Sequence, residues 1–231
     1  KTSIRMKSKT RSLAALAALT LAGSAHAATI SWSSTAFLTD GTSPWAFVEG
    51  QFATTGTQIF AENSGGGAVS SGGINFTAPT VGVFDADFNG YHSGLPVTLA
   101  STGTYMNSNA LGTVNLTGLT SGYTYRIQAL LIDGRPDDGI QTITGRTAWF
   151  DGTNQGVFAN GVSGVTWGNG LLATGTFVAD GTTQSLTIQT RNPDDTADTG
   201  GQLNALTLYQ TAIPEPSAAL LGGLGMLALL R

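Results

Sequence analysis

The chain has 231 residues, of which 10% are charged and none is cysteine. This length suits one domain, or at most two. The missing thiol excludes disulfides, cysteine catalysis, thiolate metal sites and iron–sulfur clusters. Hydrophobic residues, at 41%, are enough for a core. The 32 glycines and 7 prolines stay below the share, roughly 25–30%, that marks low-complexity disorder.

The first segment is read as an address. Lys1, Arg5, Lys7, Lys9 and Arg11 precede an apolar run from Leu13 to Gly23, and Ala25-His26-Ala27 follows as a small-x-small cleavage site. These are the three parts of a secretory signal peptide. The run is shorter than the ~20 residues needed to span a bilayer. Met6 is the expected start. Signal peptidase should cut after Ala27 and leave Ala28 as the new N-terminus.

Leaving out residues 1–27 and 214–231 exposes an acidic body. Residues 28–213 carry thirteen carboxylates against four arginines and no lysine, a net charge of −9 where the whole chain has −4. The absence of a basic patch argues against nucleic acid and anionic membrane as partners of the body. Divalent cations and neutral sugars remain, and so does plain solubility.

Strands are expected at 29–34, 46–52, 57–62, 73–78, 113–116, 123–132, 142–150, 173–178, 185–191 and 203–209, where β-branched and aromatic residues cluster. Turn signals separate them, among them Asn89-Gly90, Asp151-Gly152, Asn169-Gly170 and Asp180-Gly181. Ser64 to Gly73 reads as a mobile Gly/Ser loop. In the strand from Tyr123 to Ile132 the second face changes from Thr124, Arg126 and Gln128 to Leu130 and Ile132. Such a strand enters the core midway. After Leu203 the apolar phase shifts, and a bulge near Ala205 would account for it. No helical period runs through the body. The expected fold is all-β, a single β-sandwich or jelly roll of about ten strands. A signal helix precedes it and a short apolar helix follows it.

Two acidic segments could hold a ligand. Asp85-Ala86-Asp87-Phe88-Asn89-Gly90 has the spacing that opens a calcium loop. Pro96 stands where an EF-hand needs its twelfth-position Glu, so an EF-hand is excluded. A partial calcium site at Asp85, Asp87 and Asn89 and a plain acidic turn both remain open. The second segment, Asp133-Gly134-Arg135-Pro136-Asp137-Asp138-Gly139, joins three carboxylates to a guanidinium. Asp133, Arg135, Asp137 and Asp138 could bind sugar hydroxyls or calcium, or only solvate a surface turn. Of Trp32, Trp45, Trp149 and Trp167, Trp167 lies in the most loop-like context and is the one expected to be exposed, where it could stack on a sugar face or only sit in a surface loop. Buried indoles are the commoner fate. No residue set reads as catalytic. His92 is the one histidine of the body, and no G-x-S-x-G elbow or phosphate-binding loop accompanies it.

The C-terminus carries a second processing signal. Pro214-Glu215-Pro216 precedes a 14-residue apolar run from Ser217 to Leu230, and Arg231 follows. This tail resembles the PEP-CTERM sorting signal of exosortase-processed bacterial proteins. Its one terminal Arg and short run depart from the family's basic cluster and longer span. The resemblance implies recognition at Pro214, Glu215 and Pro216 by a membrane-embedded exosortase. It also implies transient membrane contact through the tail, then release or attachment at the surface of a Gram-negative bacterium that makes extracellular polysaccharide. The stretches Val114–Gln128, Gly175–Ile188 and Leu203–Leu208 resemble a loose group of PEP-CTERM proteins with jelly-roll, galactose-binding-like bodies. That likeness supports a fold, not an activity.

The expected organisation is a signal peptide at 1–27, a β-sandwich at 28–213 and a sorting tail at 214–231. The leading expectation is a non-enzymatic surface or matrix protein, structural or adhesive, near exopolysaccharide. Two alternatives stand beside it: a carbohydrate-binding module, with or without calcium dependence, and, less favoured, a glycan hydrolase.

Overall fold

A computed structural model describes residues 28–38, 51–79, 86–89, 99, 102–105, 112–132, 146–159, 169–191 and 202–212. Among them are fourteen strands and no helix. In chain order these are β1 Ser31–Leu38, β2 Thr57–Asn63, β3 Val69–Ser71, β4 Ile74–Phe76, β5 Ala86–Asn89, β6 Thr102–Tyr105 and β7 Gly112–Leu116. The second half holds β8 Thr124–Ile132, β9 Arg146–Phe150, β10 Thr153–Ala159, β11 Asn169–Val178, β12 Gln184–Arg191, β13 Gln202–Leu203 and β14 Ala205–Ala212. One sheet has the order β1-β11-β8-β14-β2, and a second has the order β10-β9-β12-β7. Smaller sheets β13-β6-β5 and β3-β4 complete the pattern. The expected β-sandwich is the fold observed.

β8 explains the layering. Tyr125, Ile127, Ala129 and Leu131 point into the main core, which they share with Val114, Leu116, Phe150, Leu186 and Ile188 of the facing sheet. Leu130 and Ile132 point the other way, into a second cluster with Phe52, Ile74, Phe76 and Leu99. Burying each such side chain contributes about 1.5–3 kcal/mol. The polar half of that outer face holds Arg126 and Gln128. Arg126 donates to the Ala53 and Thr55 carbonyls at 2.7 and 2.9 Å and lies over the Tyr209 ring. Burial pushes the Tyr209 phenol above its ordinary range, and the Arg126 charge partly offsets that. The midway entry into the core read from the alternation is therefore real.

The phase change before the last strand falls at Asn204, which is fully buried. Leu203 and Leu206 belong to the main core and Ala205 to the second cluster, so alternation breaks between Leu203 and Ala205. The Asn204 amide nitrogen donates to Leu130 O at 2.8 Å, and its side-chain oxygen accepts from Ile132 N–H at 2.7 Å. The side chain thus satisfies a ladder group that the irregularity would orphan.

Other expectations differ in detail. The Ser64–Gly73 segment contains β3, and with β4 it packs Ile74 and Phe76 onto the second cluster. Two apolar anchors outweigh its Gly/Ser composition. Asn169 and Gly170 pair with Leu38 and Phe37 inside β11 and form no turn. Gln51 and Phe52 form a turn, and the rest of the expected strand at 46–52 lies outside the described residues. So do the signal and tail segments.

Two crossings between the sheets run side by side. The link from β7 to β8 bonds to the link from β11 to β12 through Gly122 N–H to Ala179 O at 2.6 Å and Ala179 N–H to Tyr123 O at 2.9 Å. Above them, Gly175 of β11 lets β1 lie close. A Cβ there would sit 2.6 Å from Ile30 Cγ2 and 2.9 Å from both Ile127 Cγ2 and Trp32 Cζ3. Overpacking of this kind costs about 1–3 kcal/mol. Gly175→Ala should lower the thermal midpoint by several degrees and shift Trp32 fluorescence; an unchanged midpoint would mean that β1 does not depend on this contact.

Candidate functional site

The site begins with a tight turn. Phe150 and Thr153 pair across Asp151-Gly152, which take φ of 48° and 75°. Positive φ at both central positions defines a type I′ hairpin, and Asp-Gly is a favoured pair for it. The expected turn at Asp151-Gly152 is therefore present. It leaves the Asp151 carboxylate at the sandwich edge with two N–H donors, and the Thr187 hydroxyl adds a longer contact at 3.5 Å. Trp32 Nε1–H of β1 donates to Oδ2 at 3.0 Å, and Thr187 N–H of β12 donates to Oδ1 at 2.8 Å. The Asp151 N–H returns a bond to Thr187 O at 3.0 Å. One carboxylate thus joins a strand of the first sheet to a strand of the second.

Trp32 is held from two sides. Its ring lies 4.6 Å from that of Phe150, tilted by 41°. Gly175 leaves room for its inner edge. The indole is half-buried, so part of it lines a cleft of about 300 Å³ between the sheets. Ala28, Thr29, Ile30, Asp151, Thr153, Gln184 and Ser185 form the rest of that cleft. Thr29, Asp151, Thr153 and Ser185 are exposed at its rim. Ile30 and Gln184 are buried, Gln184 being 4% exposed.

Gln184 is the unusual member. Its Nε2 donates to the carbonyls of Ala28 and Ser185, both at 3.0 Å. Its Oε1 is buried and has no hydrogen-bond partner. Leaving such an acceptor unpaired costs about 1–3 kcal/mol. The cleft therefore offers an indole, a carboxylate already oriented by Trp32 and Thr187, and hydroxyl groups, above a buried amide oxygen that lacks a donor. Among the described residues, Asp151 is the one titratable side chain in its lining.

Asp133, Arg135, Asp137, Asp138, Trp167 and Asp85 lie outside the described residues. Asp87 and Asn89 lie in β5, opposite Thr104 and Thr102 of β6, with only the backbone described. Ala25, Ala27, Pro214, Glu215 and Pro216 are also outside, whereas Ala28 lines the cleft. Among the described residues no three His, Asp or Glu side chains are grouped to hold a metal ion. Trp149 is half-buried, with the Arg191 guanidinium 3.8 Å from its ring centre. Sequence reasoning marked the Asp151-Gly152 turn and Trp32 separately and missed their union. Gln184 carried no signal at all.

No protein-family model and no curated protein matches the chain. Part of it is similar to solved plant structures. The ANX2 ectodomain from Arabidopsis thaliana matches at 14% identity over 68% of this chain and 50% of that one, with a TM-score of 0.46. The ANXUR1 extracellular domain from the same plant matches at 13% identity over 68% and 49%, with a TM-score of 0.44. A structure of plant peptide RALF23 in complex with FER and LLG2 matches at 16% identity over 66% and 48%, again at 0.44. The chain spans about half the length of these structures, and the likeness says nothing of what this chain binds. No helix of the described residues is long and apolar enough to cross a membrane.

Asp151 combines a strained turn position with a side-chain bridge, and substitutions separate the two. Asn tolerates positive φ and keeps an oxygen for one donor. Asp151→Asn should lose less stability than Asp151→Ala, which should cost about 1–3 kcal/mol in denaturant unfolding. Equal losses would remove the side chain from the account and leave only the turn.

Proposed function

We propose that this chain is a secreted surface or matrix protein whose β-sandwich holds neutral glycan in the cleft of Trp32, Asp151 and Gln184. The adhesive role near extracellular polysaccharide follows from that binding. The observation that carries the reading is the Trp32–Asp151 pair: an indole and a carboxylate fixed side by side at the cleft wall. Sugars present apolar C–H faces beside hydroxyls, so aromatic rings and carboxylates are their usual complements. A volume of about 300 Å³ is at the small end of ligand sites and suits one sugar unit. The net negative body favours neutral over acidic glycans.

Export and sorting belong to the same proposal. The N-terminal signal would be removed by signal peptidase before Ala28. The PEP-CTERM-like tail would then be cut by an exosortase at the surface of a Gram-negative cell. Replacing Pro214, Glu215 and Pro216 with alanine should leave the tail uncut, as read by intact mass of the exported protein. Normal processing of that variant would remove the sorting step.

A glycan array separates the cleft from the acidic loop. Trp32→Ala and Asp151→Asn should each weaken binding tenfold or more, while Trp167→Ala and Asp137→Asn leave it unchanged. The reverse pattern would move the site to residues 133–138 and Trp167. The same array with a chelator reads the calcium alternative: signal lost with chelator and restored by calcium would make the binding metal-dependent.

A further inference from the structure

We infer that the α-ammonium group of Ala28, created by removal of the signal peptide, is a working part of this cleft. In this role it donates to Gln184 Oε1 and takes Asp151 as its counter-charge. The inference rests on the processing step proposed above, but concerns what that step builds.

Three observations converge on Ala28. Its residue lines the cleft together with Gln184 and Asp151. Its carbonyl is gripped by Gln184 Nε2 at 3.0 Å, which fixes the backbone at this point. The other end of that same amide, Oε1, is buried without a partner. An Oε1 left in this state is not explained by a wrong amide orientation. Nε2 already faces two carbonyl acceptors, Ala28 O and Ser185 O, and exchanging the ends would set oxygen against oxygen.

In the uncut chain the nitrogen of Ala28 is a planar peptide N–H with one donor in a fixed direction. It does not serve Oε1 there. Hydrolysis of the Ala27–Ala28 bond adds water across the peptide. The carboxylate leaves with the signal peptide, and the amine left on Ala28 is protonated near neutral pH. An ammonium has three donors and rotates about its bond to Cα, so it can meet an acceptor that the peptide plane could not. It also carries a positive charge that none of the described lining residues supplies. No Lys, Arg or His is among the eight lining residues, and Asp151 is their single carboxylate. Processing thereby adds a charged donor beside the hydroxyls of Thr29, Thr153 and Ser185, and charge-assisted hydrogen bonds are stronger than neutral ones.

The charge chemistry gives a sign. An acceptor and a carboxylate both favour the protonated amine, so its folded-state pKa should rise above the usual ~7.7–8.0. Its stabilisation is then complete below that ordinary value and is lost as pH rises through the folded value.

The test exploits the absence of lysine after residue 9. Protein exported and processed by its own signal peptide then has one primary amine, at its N-terminus. Intact mass first identifies that terminus. The rate of its acetylation across pH then reports its pKa. The expected result is an Ala28 terminus whose acetylation near neutral pH is about tenfold slower than in Asp151→Asn, the equivalent of one pKa unit. Acetylated protein should also melt several degrees lower than free protein at neutral pH, with the difference gone well above the folded pKa. A terminus other than Ala28 overturns the processing step and this inference together. An Ala28 terminus with ordinary reactivity, the same in Asp151→Asn and in wild type, and with no melting difference, overturns this inference alone and leaves the secreted reading standing.

Discussion

The sandwich edge depends on one carboxylate placed by one turn. Asp151 occupies a left-handed backbone position at φ 48°, which few side chains tolerate. The turn lifts its side chain between the sheets, where it receives Trp32 Nε1–H and Thr187 N–H. Were the turn of another type, β10 would splay from β9 and the carboxylate would miss both donors. The indole would then lose its polar anchor and the cleft its wall.

That edge works because the interior is rigid. β8 is buried on both faces and fixes β11 and β14 on its two sides. β1 in turn hangs on β11, and the bare backbone of Gly175 lets Ile30 and Trp32 settle against Ile127. Packed cores transmit such positions with little slack. The Trp32 ring, although at an edge, is therefore set by the central strands. Gln184 adds the second support. It begins β12 and binds the chain at Ala28, so the first described residue is tied to the facing sheet.

Local signals in the sequence reached the parts that depend on local chemistry. The alternation of β8 and β12, the Asp151-Gly152 turn and the phase change near Ala205 all follow from side-chain period or positive-φ preference, which neighbours in the chain decide. β10 escaped notice because Thr-Asn-Gln-Gly-Val-Phe-Ala alternates poorly, and its pairing with β9 is shifted twice. β3, three residues long, was hidden by the glycine and serine around it, whereas β4 falls inside the strand expected at 73–78. The cleft was out of reach for another reason. Trp32 and Asp151 are 119 positions apart, and Asp151 and Thr187 are 36 apart. Their meeting is a consequence of sheet order and register, which no local pattern encodes. Acidic loops drew attention because their carboxylates are adjacent in the chain, whereas the cleft has a single carboxylate.

Glycan binding at the Trp32–Asp151 wall is the central claim, and the indole resonances test it directly. Four tryptophans give four Nε1–H signals in a nitrogen–proton correlation spectrum of the exported protein. Neutral oligosaccharides of defined composition would be titrated in. The account predicts that the Trp32 signal moves saturably while that of Trp149, covered by Arg191, stays in place. A Trp32 signal that stays fixed while another indole moves, or the absence of any movement at millimolar sugar, would contradict it.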